Sequence, residues 1–167
     1  WIVEAGNRSF VNNIHGISED CPHREKDGWT GDAAVSCHHA VFRYGMKNFY
    51  LKWLADICDT QREDGQICCI VPTSGWGYNW GNGPAWDSAL FFLADAYYVE
   101  TGDDCCYRLV YDAAKKYLSY ARTREREGLV CYGLGDWCPP AVKDLKIMSN
   151  ELSDSCYYYK MLEIMAR

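Results

Sequence analysis

Glu63-Asp64-Gly65-Gln66-Ile67-Cys68 closes one pair of helical segments, and Glu127-Gly128-Leu129-Val130-Cys131 closes the next. Each stretch is followed by a long loop rich in Trp, Gly and Pro. Each loop leads into a new helical segment that begins near an aspartate, Asp87 in AWDSA and Asp154 in LSDSC. The first instance of the same entry is WTGDAA, which holds Asp32. An aspartate near a helix N-terminus suits capping and the helix dipole. Helical hairpins therefore recur from Asp32 to Asp87 to Asp154, in steps of 55 and 67 residues. A repeat of this kind, with its long loops all at one end, predicts an α/α toroid in which inner and outer helices alternate. Two full hairpins and a fifth helix are present, about two and a half hairpins in all. A closed six-hairpin barrel at this period needs roughly twice the chain. The sequence thus predicts an all-α, open, partial toroid with long loops at one face. Residues 1–167 form one piece of a larger domain, with no second domain.

The helices are read from apolar stripes at helical spacing. Ala34, Cys37, Val41 and Tyr44 make the first, and Tyr50, Trp53, Leu54 and Ile57 the second. From Asp87 to Glu100 the chain is apolar nearly all round, which predicts a helix buried on most sides. Val110, Ala113, Tyr117 and Ala121 make a fourth stripe, and Glu151 to Arg167 a fifth helix. Only Gln66–Val71 and Leu129–Tyr132 are strand candidates.

The composition narrows the function classes. The chain carries a net charge of −6 and no basic run longer than Lys115–Lys116. Phosphate binding needs clustered Lys and Arg, so nucleic acid is a poor partner. With 7 Trp, 13 Tyr and 5 Phe, sugars fit better: aromatic faces stack on sugar rings and carboxylates bind hydroxyls. The longest apolar run, Ala89 to Val99, contains Asp95 and is too short to span a bilayer. No signal peptide is visible, and the chain starts at Trp1 without Met, so the native N-terminus is expected to lie upstream. Ten cysteines leave the compartment open, because the adjacent pairs Cys68–Cys69 and Cys105–Cys106 lack zinc-ribbon spacing.

Three loops are long enough to be functional: 12–31, 64–85 and 125–149. The first carries DCPHREKDGWTGDA, with Asp20, His23, Arg24, Glu25, Lys26, Asp27, Trp29 and Asp32. Glycoside cleavage needs one carboxyl to protonate the leaving oxygen and a second to activate water or attack carbon. A carboxyl crowded by other carboxylates and backed by an indole has its pKa raised, as a general acid requires. The plain alternative is a solvated linker in which Asp32 caps a helix. In the second loop, Trp76 and Trp80 either face a pocket or pack beneath the loop as a plug. Trp86, beside Asp87 as Trp29 stands before Asp32, is expected to face the pocket. The third loop places Trp137 in GLGDWCPP, stiffened by two prolines. Neither a metal nor a cofactor is expected. Adjacent residues on a helix point about 100° apart, so Cys37 and His38 cannot share a face, and the spacing of Cys21, His23, Cys37, His38 and His39 misses known ligand patterns. Cysteine–histidine catalysis by Cys21 and His23 lacks an orienting third group. Asn7-Arg8-Ser9 matches a glycosylation acceptor motif.

Four motifs in order, DCPHREKDGWTGDA, FYLKWLADICDTQREDGQI, IVPTSGWGYNWGNGPAWDSA and GLVCYGLGDWCPP, resemble the catalytic domain of bacterial α-L-rhamnosidases of glycoside hydrolase family 78. The resemblance runs from about Ser9 to Arg167. It implies an (α/α)6 barrel that removes terminal α-L-rhamnose from glycosides or polysaccharides with inversion. It places the general acid, the Glu of the family's D-C-P-x-R…E segment, on Glu25 over Asp27; family members vary by a residue between the Arg and the Glu, and this chain has the shorter form. It places sugar contacts on Asp20, Arg24, Trp29 and Asp32, and pocket-lining indoles on Trp86 and Trp137. The family's general base is a second Glu on a later hairpin, beyond Arg167, so the chain alone is expected to be inactive. Two rival functions stay open: a carbohydrate-binding protein without hydrolysis, and a different α/α-toroid glycosidase. A purely structural scaffold is a third. Apolar helix surface left at an open barrel edge makes self-association an expectation.

Overall fold

The periodic stripes become helices at nearly the expected places. A computed structural model describes residues 1–73, 75–137 and 148–167. Helix α1 spans Ile2–Asn12, α2 Thr30–Tyr44, α3 Lys47–Asp59, α4 Pro84–Asp87, α5 Ala89–Thr101, α6 Cys105–Arg122 and α7 Asn150–Met165. Strands β1, Glu125–Arg126, and β2, Leu129–Val130, form a small antiparallel hairpin. Helix α2 packs chiefly on α5, α5 on α6, and α3 on α6, while α7 meets α4, β2 and α5. The helices that follow long loops, α2, α5 and α7, make one layer. Helices α3 and α6 back it. Helix α5 lies in the middle of its layer, between α2 and α7 and backed by α3 and α6, which is why it is apolar nearly all round: Leu90, Phe91, Leu93, Ala94 and Ala96 are all buried.

The second stripe is buried throughout. Trp53, Leu54 and Ile57 expose nothing, and the Trp53 indole N–H donates to the Val71 carbonyl at 2.9 Å. That bond satisfies the one polar group of a large apolar side chain. Truncating Trp53 to Ala is the kind of change that costs roughly 3–5 kcal/mol. Tyr50 Oη donates to the Cys37 carbonyl at 3.2 Å and ties α3 to α2. The turns at the far end are short. Residues 45 and 46 join α2 to α3, and 102–104 join α5 to α6. Lys47 pairs with Asp103 at 2.6 Å and links those two turns. With short turns at one end, the long loops all open at the other.

Several expectations need correction. Gln66–Val71 is extended but is not a strand; it makes a single bridge, Ile70 to Trp29. Its partner turns into α2 at Thr30, so no ladder can grow. Leu129–Tyr132 is a strand only at Leu129–Val130, because Tyr132 leaves to bind Asp154. The third helix starts at Ala89, with Asp87 in the separate turn α4. Helix α1 was not read from the sequence; its one buried residue is Asn7, and Phe10 beside it stacks on Tyr44. The Asn7 side chain accepts a hydrogen bond from His39 Nε2 at 3.0 Å, so the acceptor motif there is built into the fold. No helix among the described residues is long and apolar enough to cross a membrane.

Candidate active site

The three long loops are stitched together by backbone. Val71 N–H donates to the Gly28 carbonyl at 2.8 Å, and Thr30 N–H to the Cys69 carbonyl at 2.9 Å. Thr30 Oγ1 reaches the Trp86 carbonyl at 2.9 Å. Gly28 is required by the close approach: a Cβ there would lie 2.0 Å from the Val71 carbonyl oxygen. The second and third loops meet in the same way. Leu134 N–H donates to the Asn82 carbonyl at 3.1 Å, and a Cβ on Gly133 would stand 1.7 Å from that oxygen.

Two buried aspartates hold these seams from behind. Asp87 Oδ2 accepts from Gly83 N–H at 3.3 Å and from Tyr117 Oη at 2.8 Å. Tyr117 Oη in turn bonds Tyr132 Oη at 2.7 Å. Asp154 Oδ2 accepts from Tyr132 N–H at 3.1 Å. Burial drives the Asp87 carboxyl up to about 8, nearby Asp154 adds to the rise, and the Tyr117 and Gly83 bonds oppose it. Its other oxygen is buried with no partner among the described residues, which adds to the cost of ionising it.

In front of the seams lies a cleft of about 1000 Å³. All seven predicted site residues line it. Asp20, Arg24, Glu25, Trp29 and Asp32 come from the first loop and the start of α2, Trp86 from the second loop and Trp137 from the third. Trp86 lies over Gly31, where a Cβ would meet its indole at 2.8 Å. Trp29 is 7% exposed and donates its indole N–H to Glu25 Oε2 at 3.0 Å. Arg24 Nη2 stands 4.0 Å from the other Glu25 oxygen. Asp20 Oδ1 accepts from Asp27 N–H at 3.3 Å, and Asn13 Nδ2 fixes the Asp20 backbone at 2.9 Å. The indole expected to wall a carboxyl is therefore its hydrogen-bond donor.

Two first-loop carboxyls, Asp32 and Asp27, are pushed upward. Asp32 is open at its tip yet ringed by protein. Desolvation first, then Asp20, and to a smaller extent Glu25, push it up to about 6, while a backbone N–H opposes the rise. Asp27 is raised by desolvation and by Asp20. Asp32 is not a helix cap, for Trp29 holds that position and Asp32 lies in the first turn of α2.

The side chains in question sort differently for metal binding. His38 pairs with Glu100 at 3.3 Å, His39 with Asn7 at 3.0 Å, and Cys37 is buried against the Ala34 carbonyl. They do not converge with Cys21 and His23. Asp20, Cys21 and Glu25 do bring ligand atoms within 4.8 Å of one another. However, Glu25 already accepts from Trp29 and faces Arg24, and Cys21 Sγ accepts from Glu25 N–H at 3.3 Å. A cation there would compete with the guanidinium.

The sequence left Trp76 and Trp80 undecided, and both line the cleft, 39% and 51% exposed. They are not a plug. Cys156 and Tyr157 of α7 and Val35 of α2 also line it and had no sequence signal beyond helical spacing. The Asp87–Tyr117–Tyr132 network was equally hidden, because 30 residues separate its first pair.

Comparison with known proteins places this geometry. The chain matches the bacterial alpha-L-rhamnosidase 6 hairpin glycosidase domain over residues 1–167. It is 32% identical to an alpha-L-rhamnosidase of Formosa agariphila, over 94% of this chain and 18% of that protein. An alpha-L-rhamnosidase of an Alteromonas species is 29% identical over 83% of the chain and 15% of the relative. Among solved structures, alpha-L-rhamnosidase from Dictyoglumus thermophilum superposes with a TM-score of 0.86 at 33% identity, over 94% of this chain and 18% of that one. The Streptomyces avermitilis alpha-L-rhamnosidase complexed with L-rhamnose gives 0.78 at 27%, over 93% and 15%. The chain thus spans less than a fifth of the length of these relatives. Its helices, hairpin turns and stitched loops are those of an all-α six-hairpin toroid. The chain belongs to the bacterial α-L-rhamnosidase six-hairpin glycosidase domain family.

Proposed function

We propose that the cleft binds a terminal α-L-rhamnose unit of a glycoside or polysaccharide, and that Glu25 protonates the bond to be cut. The observation that carries this is Glu25 held at 3.0 Å by the Trp29 indole, inside a cleft that also holds Asp20, Asp32, Trp86 and Trp137. In an inverting cleavage the bond from the anomeric carbon to the leaving oxygen breaks as Glu25 gives that oxygen its proton. Water attacks the same carbon from the opposite face and yields its proton to a second carboxylate. Asp20, Arg24 and Asp32 hold the sugar hydroxyls, and Trp29, Trp86 and Trp137 enclose the ring.

We assign the second carboxylate to a Glu on a later hairpin, outside this chain, which forms the N-terminal part of the catalytic domain. The small share of each relative that the chain spans supports that assignment. So do apolar side chains such as Phe42, 75% exposed, and Leu152, 55% exposed, which further hairpins would cover. Left bare, they favour self-association.

The tests are rhamnose release from methyl α-L-rhamnoside, whose poor leaving group needs a proton donor, by a form completed by the remaining hairpins, and from p-nitrophenyl α-L-rhamnoside by residues 1–167. Glu25→Gln is expected to abolish turnover while rhamnose binding survives. Turnover that persists in Glu25→Gln removes the acid role and favours a binding protein. Release of p-nitrophenol by residues 1–167 alone contradicts the missing base.

A further inference from the structure

Cys21 organises the turn that carries Glu25. In DCPHRE, Pro22 follows Cys21 and presets the backbone for a tight turn. The Arg24 N–H closes that turn on the Cys21 carbonyl at 3.1 Å, and the Lys26 N–H reaches the same carbonyl at 3.2 Å. Between them, the Glu25 N–H donates to Cys21 Sγ at 3.3 Å. Three successive N–H groups thus converge on one residue. Asp20 and Asp27 shut the loop at its base. The Asp20 N–H donates to the Asp27 carbonyl, and the Asp27 N–H to Asp20 Oδ1, both at 3.3 Å.

The chain reverses immediately after Glu25. Lys26 has φ +59°, in the left-handed region that a residue with a side chain rarely adopts. Such a conformation persists where the surroundings impose it, and here the bonds to Cys21 do so. Glu25 is therefore held at two points. The Trp29 indole fixes its carboxyl at 3.0 Å, and Cys21 fixes the backbone from which that carboxyl projects. No packed core does this work, for the Glu25 side chain is 41% exposed.

A proton donor acts only within hydrogen-bond reach of the leaving oxygen. A misplacement of about 1 Å can cost roughly a hundredfold in rate. A thiol sulfur is a weak acceptor, and the bond it makes here is open to solvent, so water can take the Glu25 N–H at little cost to folding. The weight of this bond lies in placement.

We propose that Cys21 is a positioning residue for proton transfer: its sulfur, by accepting the Glu25 N–H, sets where the Glu25 carboxyl meets the leaving oxygen. The proposal rests on the reading of Glu25 as the acid.

The test compares two substrates on the form completed by the remaining hairpins. Methyl α-L-rhamnoside needs its leaving oxygen protonated, whereas 2,4-dinitrophenyl α-L-rhamnoside releases a stable phenolate that needs almost no acid. Cys21→Ala is expected to lower kcat on the methyl glycoside roughly tenfold and to leave the dinitrophenyl glycoside within about twofold. KM for both and the urea midpoint should stay unchanged. Cys21→Ser keeps an acceptor of shorter reach and should recover part of the loss. Equal loss on both substrates, or loss on neither, overturns the proposal. So does a Ser variant that recovers nothing, because the accepting atom would then not matter. If Cys21→Ala does not fold, Cys21→Ser decides alone: a smaller loss confined to the methyl glycoside supports the proposal, and any other pattern overturns it. Glu25→Gln, measured alongside, separates the two claims. It should lose the methyl glycoside and keep the dinitrophenyl one. If it does so while Cys21→Ala is indifferent to the leaving group, only the positioning role falls. If Glu25→Gln is itself indifferent, the acid reading falls and the proposal with it.

Discussion

Asp32 and Asp87 hold the same place in the repeat, beside a Trp where a long loop becomes a helix, yet they do opposite things. Asp32 opens into the cleft with a carboxyl pushed up to about 6. Asp87 is sealed, 1% exposed, and is pushed up to about 8. The difference lies in spacing from the indole. Asp32 follows Trp29 by three residues, and three residues of helix return a side chain to the same face. Asp87 follows Trp86 directly, about 100° round, so when Trp86 faces the cleft Asp87 points back toward Tyr117 of α6. One repeat position thus supplies a site residue in the first hairpin and a clamp for the loops in the second.

Stability separates the two most sharply. Asp87→Ala leaves the Tyr117 hydroxyl and Gly83 N–H without their shared acceptor and opens a void, for a loss of about 2–3 kcal/mol in urea unfolding. Asp32→Ala should stay within about 0.5 kcal/mol, as solvent-open changes do. Equal losses would erase the distinction.

The next effect is on pH dependence. Asp87 has an ordinary value of 3.8 and a folded value of about 8. Between these the folded state keeps a proton that the unfolded chain has released. Its contribution is therefore full below pH about 4 and falls as pH rises to about 8, by up to about 1.4 kcal/mol per pH unit. Asp87→Asn, which still accepts from Tyr117, should flatten that fall. A wild-type urea midpoint that rises from pH 5 to 8, with Asp87→Asn unchanged, contradicts the assignment. Tyr117→Phe removes one donor and should cost about 1 kcal/mol, less than loss of the acceptor.

Much of the front was visible in sequence and little of the back. The stripes through Trp53 and Leu90 marked helices because burial demands one apolar face, or all of them for α5. Asp20 to Asp32 could be picked out because a single loop holds the charges; their separate roles came from resemblance. Helix α1 was missed because its inward face carries the polar Asn7 among its apolar residues. Asp87 looked like a helix cap because nothing local announces Tyr117 or Tyr132. Those contacts exist only after the hairpins pack. The exposure of Trp76 and Trp80 was undecidable for the same reason, since a Trp-rich loop can close on itself or on its neighbours.

The smallest expected effect tests the cleft side of the comparison. Asp32 titrates near 6, so it is neutral at pH 5 and largely charged at pH 7. A charged carboxylate accepts hydrogen bonds from sugar hydroxyls more strongly than a neutral acid does. Affinity for methyl α-L-rhamnoside should therefore rise a few-fold, roughly one stronger hydrogen bond, between pH 5 and 7. Asp27 is also raised and shares the loop, so the wild-type curve alone does not isolate Asp32. Asp32→Asn does: it keeps an acceptor and removes the titration. A curve that stays as steep in Asp32→Asn moves the pH response to another group, and with it the claim that Asp32, unlike Asp87, is poised toward the ligand.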